Sequence, residues 1–173
     1  MDLVKELSEN KTILLLIPST DYNDVVIDAA KQLSKKSLCY ITLNKTQASL
    51  KELFAKRKAD IENIVFIDAI SKTIKETPEQ TDKCYFVDSP AALTDLSLAI
   101  SKFLKHNFEY LIFDSISNLL IYHGKIPSAK FISNLANKIE DTHIRAVFYA
   151  LIVKEHEELI KECSMFVDKV IDL

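Results

Sequence analysis

Two aspartates each follow a short apolar run, a pattern that can place carboxylates where parallel sheets bind ligands. Asp114 follows Leu111–Phe113, and Asp68 follows Ile64–Ile67. A short apolar run between helical patterns predicts a strand buried on both faces of a parallel sheet. Open α/β sheets bind their ligands at the carboxyl ends of such strands. Asp114 is therefore a candidate ligand of a divalent ion through water, or a cap of the following segment. Together with Asp68 it is a candidate hydrolytic pair.

No other chemically active side chains have a recognisable spacing. The four histidines show neither HxxxH nor HExxH and have no cysteine partner at zinc spacing. The three cysteines lie far apart in the sequence, which predicts reduced thiols in a cytosolic compartment. No GxSxG motif surrounds Ser19 or Ser115. These residues therefore predict no nucleophile and no zinc site.

Length and composition predict one soluble globular domain spanning residues 1–173. Hydrophobic residues make up 48% of the chain and charged residues 27%, as in ordinary domains with a proper core. A net charge of −3 argues against a broad nucleic-acid-binding surface. No apolar run approaches the about 18 residues that span a membrane, and the charged N-terminus lacks a signal-peptide core. We expect a cytoplasmic protein that is not associated with a membrane.

Strand and helix patterns alternate along the chain. Strands are predicted at Ile13–Ile17, Leu38–Leu43, Ile64–Ile67, Leu111–Phe113 running into Asp114, Arg145–Val153 and Met165–Ile171, with a short additional one at Cys84–Val87. Amphipathic helices are predicted between them, beginning at Thr46, at Pro90, and at Pro127 or Ser128. Residues 69–83 are polar and predict a surface excursion. The alternation predicts a parallel sheet covered by helices on both faces.

An ordered series of segments resembles the RecA/KaiC-like ATPase superfamily. YLIFDSIS from Tyr110 resembles the family's Walker B strand, and the other matching segments are LCYITLN, IVFIDAIS, AVFYALIVKE and FVDKVIDL. YITLNK, FIDAISKT and VDSPAALTDLS are similar to strings of archaeal KaiC-like proteins. The resemblance covers residues 12–173 and implies that Asp114 matches the aspartate that holds Mg²⁺ through water. It also implies a three-layer α/β sandwich with a mainly parallel sheet of strand order 3-2-4-5-1-6, counting the six longer strands along the chain.

The chain departs from this family at two parts of the ATPase machinery. The phosphate loop GxxxxGK[ST] should follow the first strand, but residues 18–24 read PSTDYND and contain neither glycine nor lysine. Asp21 and Asp24 stand there instead, where they would repel a polyphosphate. The expected catalytic carboxylate is replaced by Asn44, or is displaced altogether, and an amide cannot activate water as a general base. The sequence therefore predicts a degenerate member without catalytic residues or a required cofactor.

The first hypothesis is a non-catalytic RecA/KaiC-like domain that acts through a protein partner or self-association, with the apolar Ile116–Tyr122 segment as a candidate surface. The alternative is a residual nucleotide- or small-ligand-binding module at the strand carboxyl ends. Its contacts would come from a vestigial, weak nucleotide site made of Ser19, Thr20, Asn23 and Asp114. A third hypothesis is an enzyme of another class that uses the strand-end carboxylates. Side chains such as Tyr22 could fill the pocket, and a filled pocket would exclude the ligand hypotheses.

Overall fold

Seven strands form one sheet in the computed structural model, which describes all 173 residues. The strands are β1 (Thr12–Ile17), β2 (Leu38–Thr42), β3 (Ile64–Asp68), β4 (Cys84–Phe86), β5 (Tyr110–Asp114), β6 (Arg145–Leu151) and β7 (Lys169–Asp172). The helices are α1 (Leu3–Glu9), α2 (Tyr22–Leu33), α3 (Gln47–Lys56), α4 (Ser71–Ile74), α5 (Leu93–Phe103), α6 (Ile116–His123), α7 (Lys125–Glu140) and α8 (Glu157–Cys163).

The sheet has the order β4-β3-β2-β5-β6-β1-β7, and all six strand pairings are parallel. This confirms the predicted α/β class with helices on both faces of a parallel sheet. The order differs from the predicted 3-2-4-5-1-6 in one detail, because the short β4 extends the edge beyond β3. From β3 to β7 the strands follow one another as predicted, with β5 near the middle.

Each face of the sheet carries its own apolar core. Leu111 and Phe113 of β5 pack with α5, α6, α7 and α8, whereas Tyr110 and Ile112 pack with α1, α2 and α3. The side chains divide in this way because successive residues of a strand point to opposite faces. Both faces of β5 are therefore covered, as a continuous apolar run requires in a parallel sheet.

Several element boundaries differ from the predicted ones. Helix α5 begins at Leu93 rather than Pro90, and α7 begins at Lys125, directly after Gly124. Gly124 has φ +74°, a backbone conformation that favours glycine and separates α6 from α7 without a longer loop. The polar excursion of residues 69–83 contains the short helix α4.

The helices of this fold are short. The longest, α7, has 16 residues, and no helix combines the length and the hydrophobicity that crossing a bilayer requires.

Candidate functional site

Asp114 is the last residue of β5, and its side chain is fully buried. It lies level with Thr42 at the end of the neighbouring strand β2. The Asp114 carbonyl accepts a hydrogen bond from the Leu43 backbone N–H at 2.6 Å, which holds the two strand ends together. The structure thus places Asp114 at the carboxyl end of the central strands, where sequence reasoning expected it.

Two tyrosine hydroxyls hold the Asp114 carboxylate. Tyr22 at the start of α2 donates a hydrogen bond to Oδ2, and Tyr40 of β2 donates to the same oxygen at 2.8 Å. Tyr22 reaches this position because Pro18 and Asp21 close a tight turn after β1, with a backbone hydrogen bond of 3.0 Å. Tyr22 as a whole residue is only 8% exposed. The first turn of α2 therefore fills the space above Asp114 with its own side chain.

Tyr149 of β6 completes this group, and we call Tyr22, Tyr40, Asp114 and Tyr149 the tyrosine–aspartate cluster. Tyr149 is buried, and its hydroxyl has no hydrogen-bond partner in the protein. The second carboxylate oxygen, Asp114 Oδ1, is also buried without a partner. A buried polar atom left unpaired costs about 1–3 kcal/mol. The cluster is therefore a polar group within the core in which only some of the hydrogen-bonding atoms have partners.

Burial sets the ionisation of the cluster. Desolvation raises the pKa of Asp114 to about 6, against the lowering effects of the Tyr22 and Tyr40 hydrogen bonds and of the Lys45 charge. Burial, followed by the Asp114 charge, raises the pKa of all three tyrosines far above their usual range. At neutral pH the three tyrosines are therefore neutral, and Tyr22 and Tyr40 donate to a carboxylate that is sealed from water. Such a group is badly placed to activate water or bind a hydrated ion.

Lys45 lies over the outer side of the cluster. Its ammonium nitrogen is 5.9 Å from the centroid of the Tyr22 ring, within the range of a cation–π contact. The loop that carries Asn44 and Lys45 is fixed by Thr42, whose hydroxyl donates to the Lys45 carbonyl at 2.6 Å and accepts from its N–H at 3.1 Å. The β2–α3 loop thus completes the cover above Tyr22.

The structure does not bring the four predicted site residues together. Ser19, Thr20 and Asn23 are exposed on the β1–α2 turn and at the start of α2, whereas Asp114 lies buried below Tyr22. The Thr20 hydroxyl donates to its neighbour Asp21 at 2.9 Å. The buried Tyr22 lies between the exposed turn and the buried carboxylate.

Acidic side chains occupy the surroundings of the turn, as the sequence indicated. Asp21 is the residue before α2, and Asp24 lies in its first turn. Asp24 pairs with Arg57 at 3.1 Å, and Lys56 pairs with Glu52 at 2.8 Å. Lys56, the last residue of α3, and Arg57, which follows it, are therefore engaged in exposed ion pairs on this face of the molecule.

Asp68, the other carboxylate at a strand end, accepts hydrogen bonds from backbone N–H groups. It is fully buried and accepts hydrogen bonds from the N–H groups of Gln47, Ile70 and Ser71 and from the Ser71 hydroxyl, at 2.6 to 2.8 Å. Strand β2 separates β3 from β5, as the predicted order required. Both Asp68 oxygens are thus committed to the starts of α3 and α4. This arrangement leaves no pair of free carboxylates for a hydrolytic centre.

Sequence reasoning named Tyr22 as a side chain that could fill the pocket but missed Tyr40, Lys45 and Tyr149. A signal for Tyr40 was present. Tyr40 lies two residues before Thr42, so both side chains point to the same face of the sheet. Thr42 aligns with Asp114 on the neighbouring strand, so Tyr40 shares the face of the carboxylate. Using this signal requires the strand register, which the sequence pattern did not supply for β2 and β5.

Comparison of the sequence with protein-family models finds no match, and comparison with curated proteins finds none either. Comparison of structures does find similarity. The crystal structure of a KaiC-like protein from the hyperthermophilic archaeon Pyrococcus horikoshii OT3 superimposes with a TM-score of 0.67 at 17% sequence identity. The match covers 94% of this chain and 71% of the archaeal one. At this identity the similarity concerns the fold alone, and the chain has a RecA/KaiC-like α/β fold.

Proposed function

We propose that this chain is a non-catalytic RecA/KaiC-like domain that acts through protein–protein interaction in regulation or assembly. The observation that carries the proposal is the closed end of β5. Asp114 is fully buried, and the Tyr22 hydroxyl bonds to the carboxylate that a nucleotide-bound magnesium ion would need to approach. A site filled by the protein's own side chains leaves no room for the phosphates of a substrate.

The residues around this site support the same proposal. The turn of residues 18–24 has no glycine and no lysine, so it lacks the backbone freedom and the cation that cradle a polyphosphate. Asn44 stands where the catalytic carboxylate is expected and cannot take a proton from water. Phosphoryl transfer depends on positioning and charge stabilisation by these groups. We infer a pseudo-ATPase of the archaeal KaiC-like type.

Exposed apolar side chains support an interaction role. Ile121 and Tyr122 at the end of α6 and Ile126 at the start of α7 are exposed, although Ile116 and Leu119 of α6 are buried. Apolar residues grouped on a surface in this way are typical of interaction sites. The predicted Ile116–Tyr122 segment thus divides into a core-facing part and an outward part. The cytoplasm, where the three buried cysteines stay reduced, is the compartment that fits this proposal.

The alternative function is a residual nucleotide- or small-ligand-binding module at the strand carboxyl ends. It requires Tyr22 to leave its position and expose Asp114 to the ligand. The burial of both side chains counts against it, because opening the site breaks a hydrogen bond to a carboxylate and uncovers the Tyr22 ring.

A thermal-shift and hydrolysis experiment separates the two functions. Wild type and Tyr22→Ala are heated with ATP, ADP or GTP and Mg²⁺, and phosphate release is measured in parallel. A ligand at about 100 times its Kd stabilises by about 2.7 kcal/mol, or about 5–10 °C for a domain of this size. We expect no shift and no turnover in wild type. A shift of that size in wild type overturns the proposal, and a shift in Tyr22→Ala alone favours the alternative.

A further inference from the structure

A groove runs along the surface between α5 and α7, on the sheet face opposite to α2. It consists of two adjoining hollows of about 310 and 330 Å³, which share Ser97, Phe131 and Asn134 as lining residues. The floor is apolar and contains Ile100 and Leu135. Because the hollows share their walls, they form one continuous depression rather than two separate sites.

The groove is extended by exposed apolar residues at its edge. Leu98 lines it and is 65% exposed, and Ile126, which is 76% exposed, precedes the lining residue Pro127. Burying large apolar side chains of this kind on association is the main source of affinity in protein recognition. The apolar floor and edge therefore favour an occupant that brings its own apolar side chains.

The charge of the groove differs from that of the whole chain. The chain is acidic, with 25 Asp and Glu against 22 Lys and Arg, yet no carboxylate lines the groove. Its charged lining residues are Lys130 and Lys138, with amide groups between them from Asn134 and Asn137. Lys138 reaches across the groove to the Ser101 hydroxyl at 2.7 Å. The occupant that complements this lining carries carboxylates beside its apolar residues.

The length and the walls of the groove define the shape of the occupant. From Pro127 to Lys138 the wall formed by α7 is about 16 Å long at 1.5 Å per residue, which matches about three helical turns. Both walls are helices, whose internal backbone groups are already paired and cannot accept an added strand. A helix that presents apolar residues at positions i, i+3, i+4 and i+7 fits such a groove.

We infer that the α5–α7 groove binds an amphipathic helix of a partner protein whose apolar face is flanked by Asp and Glu residues. This inference rests on the proposed function and names the surface and the chemistry of the partner. Lys130 and Lys138 select the acidic flanks, and Phe131, Leu135 and Leu98 contact the apolar face.

The test uses ¹⁵N-labelled full chain and two synthetic helical peptides with the same leucine pattern, one flanked by glutamate and the other by lysine. We expect the glutamate peptide to shift amide signals of α5 and α7 and to bind at least about tenfold more tightly than the lysine peptide. The double variant Lys130→Glu/Lys138→Glu should reverse this preference. The matched control Lys31→Glu/Lys35→Glu changes the net charge equally on the opposite face of the sheet and should leave the preference unchanged.

Shifts that are absent, that map outside α5 and α7, or that are equal for both peptides overturn the inference. Signals of the groove that change on dilution without peptide also overturn it, because a second copy of the chain is then the occupant. If the peptide test fails and wild type binds no nucleotide, only the groove inference is overturned and the non-catalytic proposal stands. Nucleotide binding by wild type overturns that proposal instead, whatever the peptides do.

Discussion

The hydroxyl of Tyr22 donates a hydrogen bond to Oδ2 of Asp114 and so joins the start of α2 to the end of β5. The two residues are 92 positions apart in sequence, and both are buried. In this fold the strand end that could receive a ligand is therefore part of the core. A carboxylate buried in this way makes folding sensitive to pH and makes its neighbours testable by substitution.

Stability should fall as Asp114 ionises. Its pKa in the folded protein is about 6, above the 3.8 of an ordinary aspartate, so the folded state holds the proton more tightly than the unfolded state. The contribution of this group to the free energy of unfolding is largest below about pH 4. It declines by about 3 kcal/mol as the pH rises through the folded pKa of about 6, and it is constant once the carboxyl is fully ionised. Asp114→Asn should therefore be more stable than wild type at about pH 8 and lose this advantage near pH 4.

Urea unfolding across this pH range measures the difference between wild type and Asp114→Asn. Asp95→Asn removes an exposed carboxylate from α5 and serves as the control, for which we expect no pH-dependent difference of this size. A variant Asp114→Asn that is less stable than wild type at the alkaline end would show that the ionised carboxylate stabilises the fold.

Tyr22 should contribute through both its hydroxyl and its ring. Tyr22→Phe keeps the ring and removes the donor to the carboxylate, so we expect a loss of about 1.5–3 kcal/mol at about pH 8. The same substitution should raise the pKa of Asp114 further, because the Tyr22 hydrogen bond lowers it. Tyr22→Ala also leaves a cavity, for an expected total loss of about 3–5 kcal/mol. Denaturant unfolding checks both values.

The control for the Tyr22 substitutions is Tyr122→Phe, which alters an exposed tyrosine of α6 and should leave stability within about 0.5 kcal/mol of wild type. Equal stability of Tyr22→Phe and wild type at both ends of the pH range would mean that the hydroxyl does not hold the carboxylate.

Asp68 should be a structural residue whose charge and two oxygens are both needed. Asp68→Asn leaves one acceptor oxygen for the four donors that Asp68 now satisfies, so we expect a loss of about 2–4 kcal/mol. Asp88→Asn is the control, because Asp88 is exposed and only pairs with Lys72. Its effect should be below about 1 kcal/mol. Thermal unfolding measures the loss of stability in both variants. A loss in Asp68→Asn as small as that in Asp88→Asn would contradict the capping role.

Replacing Gly124 should lower the stability of the fold even though an added side chain would meet no steric clash. A Cβ at this position would meet no atom within 4 Å, but its backbone has φ +74° and ψ 177°, a region that only glycine adopts readily. Gly124→Ala should therefore lose about 1–3 kcal/mol through backbone strain alone. Asn137→Ala on the exposed side of α7 is the control and should be neutral or slightly stabilising. A neutral Gly124→Ala in chemical denaturation would mean that the α6–α7 turn can relax.

The fold was predictable because its signals are local and repeated. Apolar runs such as Leu111–Phe113 mark strands buried on both faces, and amphipathic stripes mark the helices between them. The short strand at Cys84–Val87 was predicted, but its place at the sheet edge beside β3 was not, because the implied order counted only the six longer strands. The start of α7 at Lys125 depends on the backbone of Gly124, which periodicity does not register.

The site was only partly predictable because it depends on contacts between distant strands. The position of Asp114 followed from the end of an apolar run. Tyr40, which donates to it, and the unpaired Tyr149 lie inside other strands, where a sequence pattern does not distinguish them from ordinary core residues. Only the register of β2 and β5 puts Tyr40 within reach of the carboxylate. The absence of glycine and lysine from residues 18–24, by contrast, was visible directly in the sequence.

The most direct test of the occupied strand end is equilibrium dialysis of wild-type protein against labelled ATP with Mg²⁺. Tyr22 covers the Asp114 carboxylate, and residues 18–24 contain neither the glycines nor the lysine that bind a polyphosphate. We therefore expect no saturable binding up to about 1 mM ATP. Saturable binding with a Kd in the micromolar range, at one nucleotide per chain, would contradict the closed site and the non-catalytic role together.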